Sequence, residues 1–98
     1  MFDSETITTN AQTLKSTGVT LLNTAAGALA GTLGSGTNRG DMKTIVMTTH
    51  SGTYTLTVTN HETSDPETFT FTAVDDTAVF MWTGSEWVTI KLSGASAT

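Results

Sequence analysis

Residues 79–90, VFMWTGSEWVTI, contain both tryptophans of the chain and decide how its strands are arranged. Trp82 and Trp87 stand on either side of residues 83–86, a short segment with the glycine and serine that tight turns favour. Two such rings can form an exposed platform for a sugar, or they can close the end of a core hairpin. The sequence on either side separates the two interpretations.

The residues before this stretch predict two further strands with one apolar face. In residues 68–74, TFTFTAV, aromatic and threonine side chains alternate with the two-residue period of a half-buried strand. A turn at residues 75–76 would pair this segment with residues 77–82, and the turn at residues 83–86 would add residues 87–92. The register that these turns impose gives six cross-strand pairs: Ala73 with Ala78, Phe71 with Phe80, Phe69 with Trp82, Trp82 with Trp87, Met81 with Val88, and Val79 with Ile90.

One face of this three-stranded meander is aromatic. Phenylalanine rings have no polar atom with which to bind a sugar, and here they are continuous with both indoles. We therefore predict a buried core cluster in preference to a sugar platform. Its members are Phe69, Phe71, Phe80, Trp82 and Trp87.

The opposite face of the same hairpin is also apolar, because it carries Val79, Met81, Val88 and Ile90. A sheet with two apolar faces must be covered on both sides. A chain of 98 residues has few left for a second covering layer. We expect another chain to cover part of this face; the alternative is that residues 18–33 fold back over it.

The rest of the chain extends the all-β pattern. Residues 18–23 are a strand candidate, residues 24–41 are glycine-rich and predict a loop or short irregular strand, and a turn at Ser51-Gly52 would join residues 43–49 to residues 54–59 as a hairpin. That hairpin would place Met47 opposite Leu56 and Ile45 opposite Val58. We predict a single small antiparallel β-sandwich or barrel built of hairpins.

The predicted strands divide the chain into three segments. Residues 1–17 are polar and rich in threonine and serine, which predicts either an extended N-terminal arm with Ile7 and Leu14 as its contact residues or a loosely ordered terminus. Residues 18–92 form the β domain. Residues 93–98 are small and predict a flexible tail.

Composition excludes several classes of function. Threonine occupies 24 of 98 positions, as expected of strands, and the net charge of −5 with four scattered basic residues disfavours nucleic acids and anionic membranes. Without cysteine there is no disulfide, thiolate nucleophile or cysteine metal site, and the two histidines lie in no catalytic or metal motif. We predict no enzyme activity, no metal and no cofactor.

One pattern resembles a known group of proteins. The segment from TLG through KTIVMTTHSGTYTLTVTN to FTFTAVDDTAVFMWTGSEWVTI, about residues 32–91, is similar to a β-rich segment of tailed-bacteriophage virion proteins. These include small capsid decoration proteins and modules of tail fibres and spikes. The most specific feature is F-x-A-V-x-D-x-A-V-F-x-W-x-G-x-x-W, and the arm is outside the match.

The resemblance implies a trimeric all-β structural protein without catalytic residues. The expected function is that of a capsid decoration, or cement, protein that is made in the host cytoplasm and lies on the outer capsid surface of the virion. Its expected partners are two further copies of itself and the major capsid protein. The alternative is a tail fibre or spike module, or a carbohydrate-binding module that recognises a receptor.

Overall fold

A computed structural model describes residues 4–97; the first three residues of the expected arm and the last residue of the expected tail lie outside this part. The described residues contain no helix. They form ten strands: β1 (Ser4–Ile7), β2 (Gln12–Leu14), β3 (Gly18–Asn23), β4 (Leu29–Leu33), β5 (Met42–Thr49), β6 (Tyr54–Val58), β7 (Glu67–Phe71), β8 (Thr77–Trp82), β9 (Trp87–Ser93) and β10 (Ser96–Ala97).

The strands form two five-stranded sheets whose inner faces share one core. The first sheet has the order β1-β3-β5-β8-β9, and the second has the order β10-β7-β6-β4-β2. The all-β class is therefore confirmed. Both sheets are mixed, however, so the prediction of an antiparallel sandwich was wrong, and neither sheet closes into a barrel.

The mixed pairing arises because the first six strands alternate between the sheets. Strands β1, β3 and β5 lie side by side in parallel, and so do β2, β4 and β6. Most paired residues of β3 and β5, such as Gly18 and Lys43, are 25 positions apart in the sequence. Paired residues of β4 and β6, such as Leu29 and Tyr54, are the same number of positions apart. Each stretch of about 25 residues thus adds one strand to each sheet.

Two predicted hairpins are absent for the same reason. Strand β5 lies in the first sheet and β6 in the second, so Met47 does not pair with Leu56, nor Ile45 with Val58. Strands β7 and β8 are likewise in different sheets, so Phe71 does not pair with Phe80, nor Phe69 with Trp82, nor Ala73 with Ala78. A two-residue period buries the same side chains whether the partner strand lies beside them or faces them.

Polar side chains hold the connections that cross between the sheets. The Thr24 hydroxyl accepts hydrogen bonds from the N–H groups of Ser51 and Gly52, at 3.2 and 3.3 Å, in the connection from β5 to β6. The connection from β7 to β8 contains Asp76, whose carboxylate accepts from two backbone N–H groups at 2.8 and 3.1 Å. The aspartate pair does form a turn, but this turn leads to the other sheet.

The β8–β9 hairpin is the part of the meander that the prediction placed correctly. Trp82 pairs with Trp87, and Met81 pairs with Val88. The predicted pair of Val79 with Ile90 is wrong, because the register shifts between Val79 and Phe80 and brings Lys91 opposite Val79. One residue, Ile90, is extra on the β9 side, as in a β-bulge.

The glycine-rich region and both ends of the chain also contribute strands. Residues 18–23 form β3 as predicted, but residues 24–41 contain the regular strand β4. Residues 4–14 provide β1 and β2, which are the edge strands of the two sheets, and β10 pairs with β7. Consequently, Ile7 and Leu14 are buried in the shared core.

Replacing Gly31 with alanine should destabilise the sandwich. A methyl group at Gly31 would overlap the Tyr54 hydroxyl and lie 2.8 Å from the backbone carbonyl oxygen of Gln12. We expect Gly31→Ala to lower the free energy of unfolding by about 1–3 kcal/mol, the usual cost of overpacking. Urea denaturation followed by tryptophan fluorescence measures the change.

Gly34→Ala is the matched control, because nothing lies within 4 Å of a methyl group at Gly34. It should change the free energy of unfolding by no more than about 0.5 kcal/mol. Equal losses in the two variants would contradict the packing of Gly31 against Tyr54.

Candidate functional site

The outer face of the first sheet is apolar across four strands. In β3, β5 and β8, buried side chains alternate with half-buried or exposed ones that point outward; in β9 the pairing with β8 places Val88 opposite the outward Met81, and Ile90 at the bulge opposite the outward Val79. The outward set includes the polar residues Thr44, Thr77 and Lys91, and we call its apolar members the apolar face. It consists of Val19 and Leu21 on β3, Met42 and Val46 on β5, Val79 and Met81 on β8, and Val88 and Ile90 on β9.

The strand register makes these residues neighbours. Met42 pairs with Met81, which pairs with Val88. In the next row Thr44 lies between Val19 and Val79. All eight residues of the apolar face are half-buried or exposed, so no described part of this chain covers them fully.

The outer face of the second sheet has a different composition. It carries six threonines, one alanine and one serine: Thr13, Ala30, Thr32, Thr55, Thr57, Thr68, Thr70 and Ser96. Both sheets have five strands and pack on the same core, so the fold itself does not require an apolar outer face. The apolar face is therefore a specific feature of the first sheet.

All four interface residues that the sequence predicted on the hairpin, Val79, Met81, Val88 and Ile90, lie on the apolar face. The alternative that residues 18–33 cover it is wrong, because β3 lies within the same sheet and β4 belongs to the other. Ile7 and Leu14, the other two predicted contact residues, lie in the core.

Half of the apolar face was missed by the sequence analysis. Val19 and Leu21 alternate with buried residues in GVTLLN, and Met42 and Val46 do so in MKTIVM. This alternation was visible in the sequence. Because β5 was assigned to a hairpin with β6, nothing indicated that β3 and β5 continue the sheet formed by β8 and β9.

The five aromatic residues predicted to be core are buried, and the tryptophans are covered by the glycine-rich region. The Trp82 and Trp87 rings meet edge to face with centroids 5.3 Å apart. The Trp87 indole N–H donates to the Gly34 carbonyl at 2.8 Å, and the backbone at Gly36 lies directly against the Trp82 ring. The indoles are thus unavailable as a sugar platform.

A charged cluster lies beneath the β1 edge. Lys43 is fully buried, with its amino nitrogen 3.6 Å from a Glu5 carboxylate oxygen and donating to the Thr17 carbonyl at 3.3 Å. The same Glu5 oxygen accepts from the Thr20 hydroxyl at 2.7 Å and from the Lys15 N–H at 2.8 Å. These contacts tie β1 to β3 and β5.

The surroundings of Glu5 lower its pKa. Partial burial acts to raise the pKa, but the two hydrogen bonds and the positive charge of Lys43 outweigh it and favour the carboxylate. Burial, together with the negative charge of Glu5, raises the pKa of Tyr54, so its hydroxyl stays protonated. That hydroxyl is buried and has no hydrogen-bond partner in the described structure.

His61 is a structural residue in the core. Its Nδ1 atom accepts a hydrogen bond from the Thr63 N–H at 3.1 Å, so the neutral ring carries its proton on Nε2, which lies 2.7 Å from the Thr89 hydroxyl. The ring packs edge to face on Phe69 and Phe80. These contacts hold the loop after β6 against β9.

Residues 4–97 offer neither a cluster of metal ligands nor a membrane-spanning helix. No group of three or more histidine, cysteine, aspartate or glutamate side chains in this range could hold a metal ion. The same residues contain no helix long and apolar enough to cross a membrane. The apolar face is the surface on which a functional proposal can be built.

No protein-family model matches the chain, and no curated protein matches its sequence.

Glu5 should make the stability of the protein depend on pH in the acid range. Its pKa is lowered on folding, so its contribution is present at neutral pH and is lost as the pH falls below its ordinary value of 4.5 and through the folded value. We expect Glu5→Gln to reduce the free energy of unfolding at pH 7 by about 1–3 kcal/mol. The difference from the parent should shrink at pH 3, as urea denaturation at both pH values will show.

Glu86→Gln removes the same charge in the β8–β9 turn, away from Lys43, and serves as the control. The free energy of unfolding of Glu86→Gln should change between pH 7 and pH 3 by the same amount as that of the parent. If the free energies of unfolding of the parent and Glu5→Gln differed by the same amount at both pH values, Glu5 would not be the source of the acid dependence.

Proposed function

We propose that this chain is a non-enzymatic assembly protein that self-associates through the apolar face as a homotrimer and decorates the outside of a tailed-bacteriophage capsid. The observation that carries the proposal is the contrast between the two outer faces, one apolar and one threonine-rich. Contiguous apolar surface on a soluble domain marks a site of interaction.

Charge favours the apolar face as a contact between copies. The chain has a net charge of −5, so two copies repel each other when their acidic surfaces approach. Among the described outward residues of β1, β3, β5, β8 and β9, the one charged side chain is Lys91. Copies that meet through this face therefore bring no carboxylates together.

The motif F-x-A-V-x-D-x-A-V-F-x-W-x-G-x-x-W has a structural role in this chain. Its spaced residues Phe71, Phe80, Trp82 and Trp87 are all buried, and Asp76 binds the turn that connects the sheets. The motif thus specifies how β7 connects to the β8–β9 hairpin, which carries half of the apolar face. The trimer and the phage capsid enter the proposal through the resemblance of this segment to tailed-bacteriophage virion proteins.

The mechanism that we propose is stabilisation by binding. A protein that binds the assembled shell and not its dissociated subunits stabilises the shell by its binding free energy. Such a protein needs a rigid body, a self-association surface and a contact with the major capsid protein. It needs no catalytic group, cofactor or metal.

The alternative of a carbohydrate-binding module on a tail fibre or spike lacks a specific supporting observation. Its sequence basis was the tryptophan pair, and both indoles are in the core. The virion surface, reached after synthesis in the host cytoplasm, remains the proposed location.

Val88→Asp should dissociate the assembly and leave each subunit folded. Val88 points outward and is half-buried, so a carboxylate there is hydrated in the free subunit but would be buried unpaired between copies. We expect the mass from light scattering to fall from three subunits to one, with an unchanged far-ultraviolet circular dichroism spectrum.

Thr57→Asp places the same charge at a half-buried outward position of the second sheet and should not change the mass. If Val88→Asp unfolds the subunit, or if the parent protein is monomeric at high concentration, the proposed self-association surface is wrong.

Binding to a shell is tested on expanded capsids, freed of this protein, from the phage that encodes it. Addition of the protein should raise the temperature at which the capsids rupture, measured by release of a DNA-binding dye. Electron microscopy should show density on the outer surface. An unchanged rupture temperature and bare capsids would remove the cement function, whatever the oligomeric state.

A further inference from the structure

Ile90 forms a projection on the apolar face. It is the extra residue where the β8–β9 register shifts, opposite Val79, and its neighbour Lys91 is the residue that pairs with Val79. Its side chain is 54% exposed, more than that of any other large apolar residue in residues 4–97. Ile90 thus stands at the β9 margin of the face.

A depression lies near the opposite margin of the same face. It has a volume of about 90 Å³ and is lined by Gly18, Val19, Met42 and Thr44, between β3 and β5. Since a protein cavity of about 150 Å³ accepts the six carbons of benzene, this depression suits about four carbons, the number in an isoleucine side chain.

The projection and the depression are aligned across the sheet. Val19 pairs with Thr44, and Thr44 pairs with Val79, the residue opposite the bulge. Strand β8 separates Ile90 from β5, which puts Thr44 about 10 Å from it at the usual spacing between strands. Ile90 therefore cannot fill the depression of its own chain.

We propose that Ile90 of one copy occupies the depression formed by Gly18, Val19, Met42 and Thr44 of the next copy. In the assembly that we propose this contact is head-to-tail: each copy inserts Ile90 into one neighbour and receives Ile90 from the other, and a rotation of one third of a turn at each contact closes three copies into a ring. The ring of three rests on the proposed homotrimer. The central residues of the face, such as Met81 and Val46, then lie toward the axis of the ring.

A second copy is the occupant that the described residues favour. The depression accepts a group of the size that the same chain presents at Ile90. The surrounding outward residues carry no carboxylate, so a second copy of this acidic chain approaches here without repulsion between carboxylates.

Two substitutions with matched controls test the contact. Ile90→Ala removes the projection, and Thr44→Met fills the depression from its own chain. Each should raise the dissociation constant of the assembly about tenfold or more, because each removes the apolar anchor or the pocket that receives it. Val74→Ala, at a loop residue that is 52% exposed, and Thr57→Met, on the second sheet, should leave association unchanged.

Cysteine cross-linking tests directly whether residue 90 of one copy lies beside residue 44 of the next. The chain has no cysteine of its own, so only the introduced cysteines can form a disulfide. In the double variant Ile90→Cys with Thr44→Cys, the two sites of one chain are too far apart for a disulfide, which needs Cα atoms within about 7 Å. Mild oxidation should yield covalent trimers on a non-reducing gel. An equal mixture of the two single-cysteine variants should yield covalent dimers only.

Other results would overturn the contact or the trimer separately. Trimers in light scattering that do not cross-link and tolerate Ile90→Ala would overturn the contact and leave the proposed function standing. Cross-linked dimers from the double variant would keep the contact and contradict the proposed trimer. If Ile90→Ala abolishes capsid binding without changing the oligomer, the shell protein is the partner of Ile90, and the contact between copies is wrong.

Discussion

The structure depends on one constraint: consecutive strands bury their apolar sides against each other across the core. From β1 to β6 the chain changes sheet at every connection, and each strand pairs with the strand two places earlier. The sheets lie about 10 Å apart, which a connection of four residues such as 50–53 can span. Parallel pairing, a core filled from both sides and two separate outer faces all follow from this alternation.

That constraint also creates the apolar face. If β5 had paired with β6 as a hairpin, Met42 and Val46 would have been separated from Val79 and Met81. In the observed order β5 lies beside β8, so the outward residues of four strands form one surface. Strand β3, which pairs with β5 in parallel, then adds Val19 and Leu21.

The sequence predicted elements and faces better than it predicted neighbours. The bounds of β3 and the pairs Trp82–Trp87 and Met81–Val88 were correct, because a clear period and a short turn determine them. The partners of β5 and β7 were wrong, because alternation shows which side is buried and not which strand lies beside it. The charged cluster was missed since the partners of Lys43 are 26 and 38 positions away.

The outer faces differ in a way that packing within the subunit does not explain. Threonine fits a pleated surface by its β-branch and binds water through its hydroxyl, so the second sheet is well hydrated without a partner. The first sheet has valine, leucine, isoleucine and methionine at eight outward positions, interrupted by Thr44 and Thr77, in a chain where threonine is the commonest residue. Apolar residues on an exposed sheet promote indiscriminate association unless their shape restricts it. A projecting Ile90 and a depression of matching size provide such a restriction, because they favour one orientation of a neighbouring copy over others.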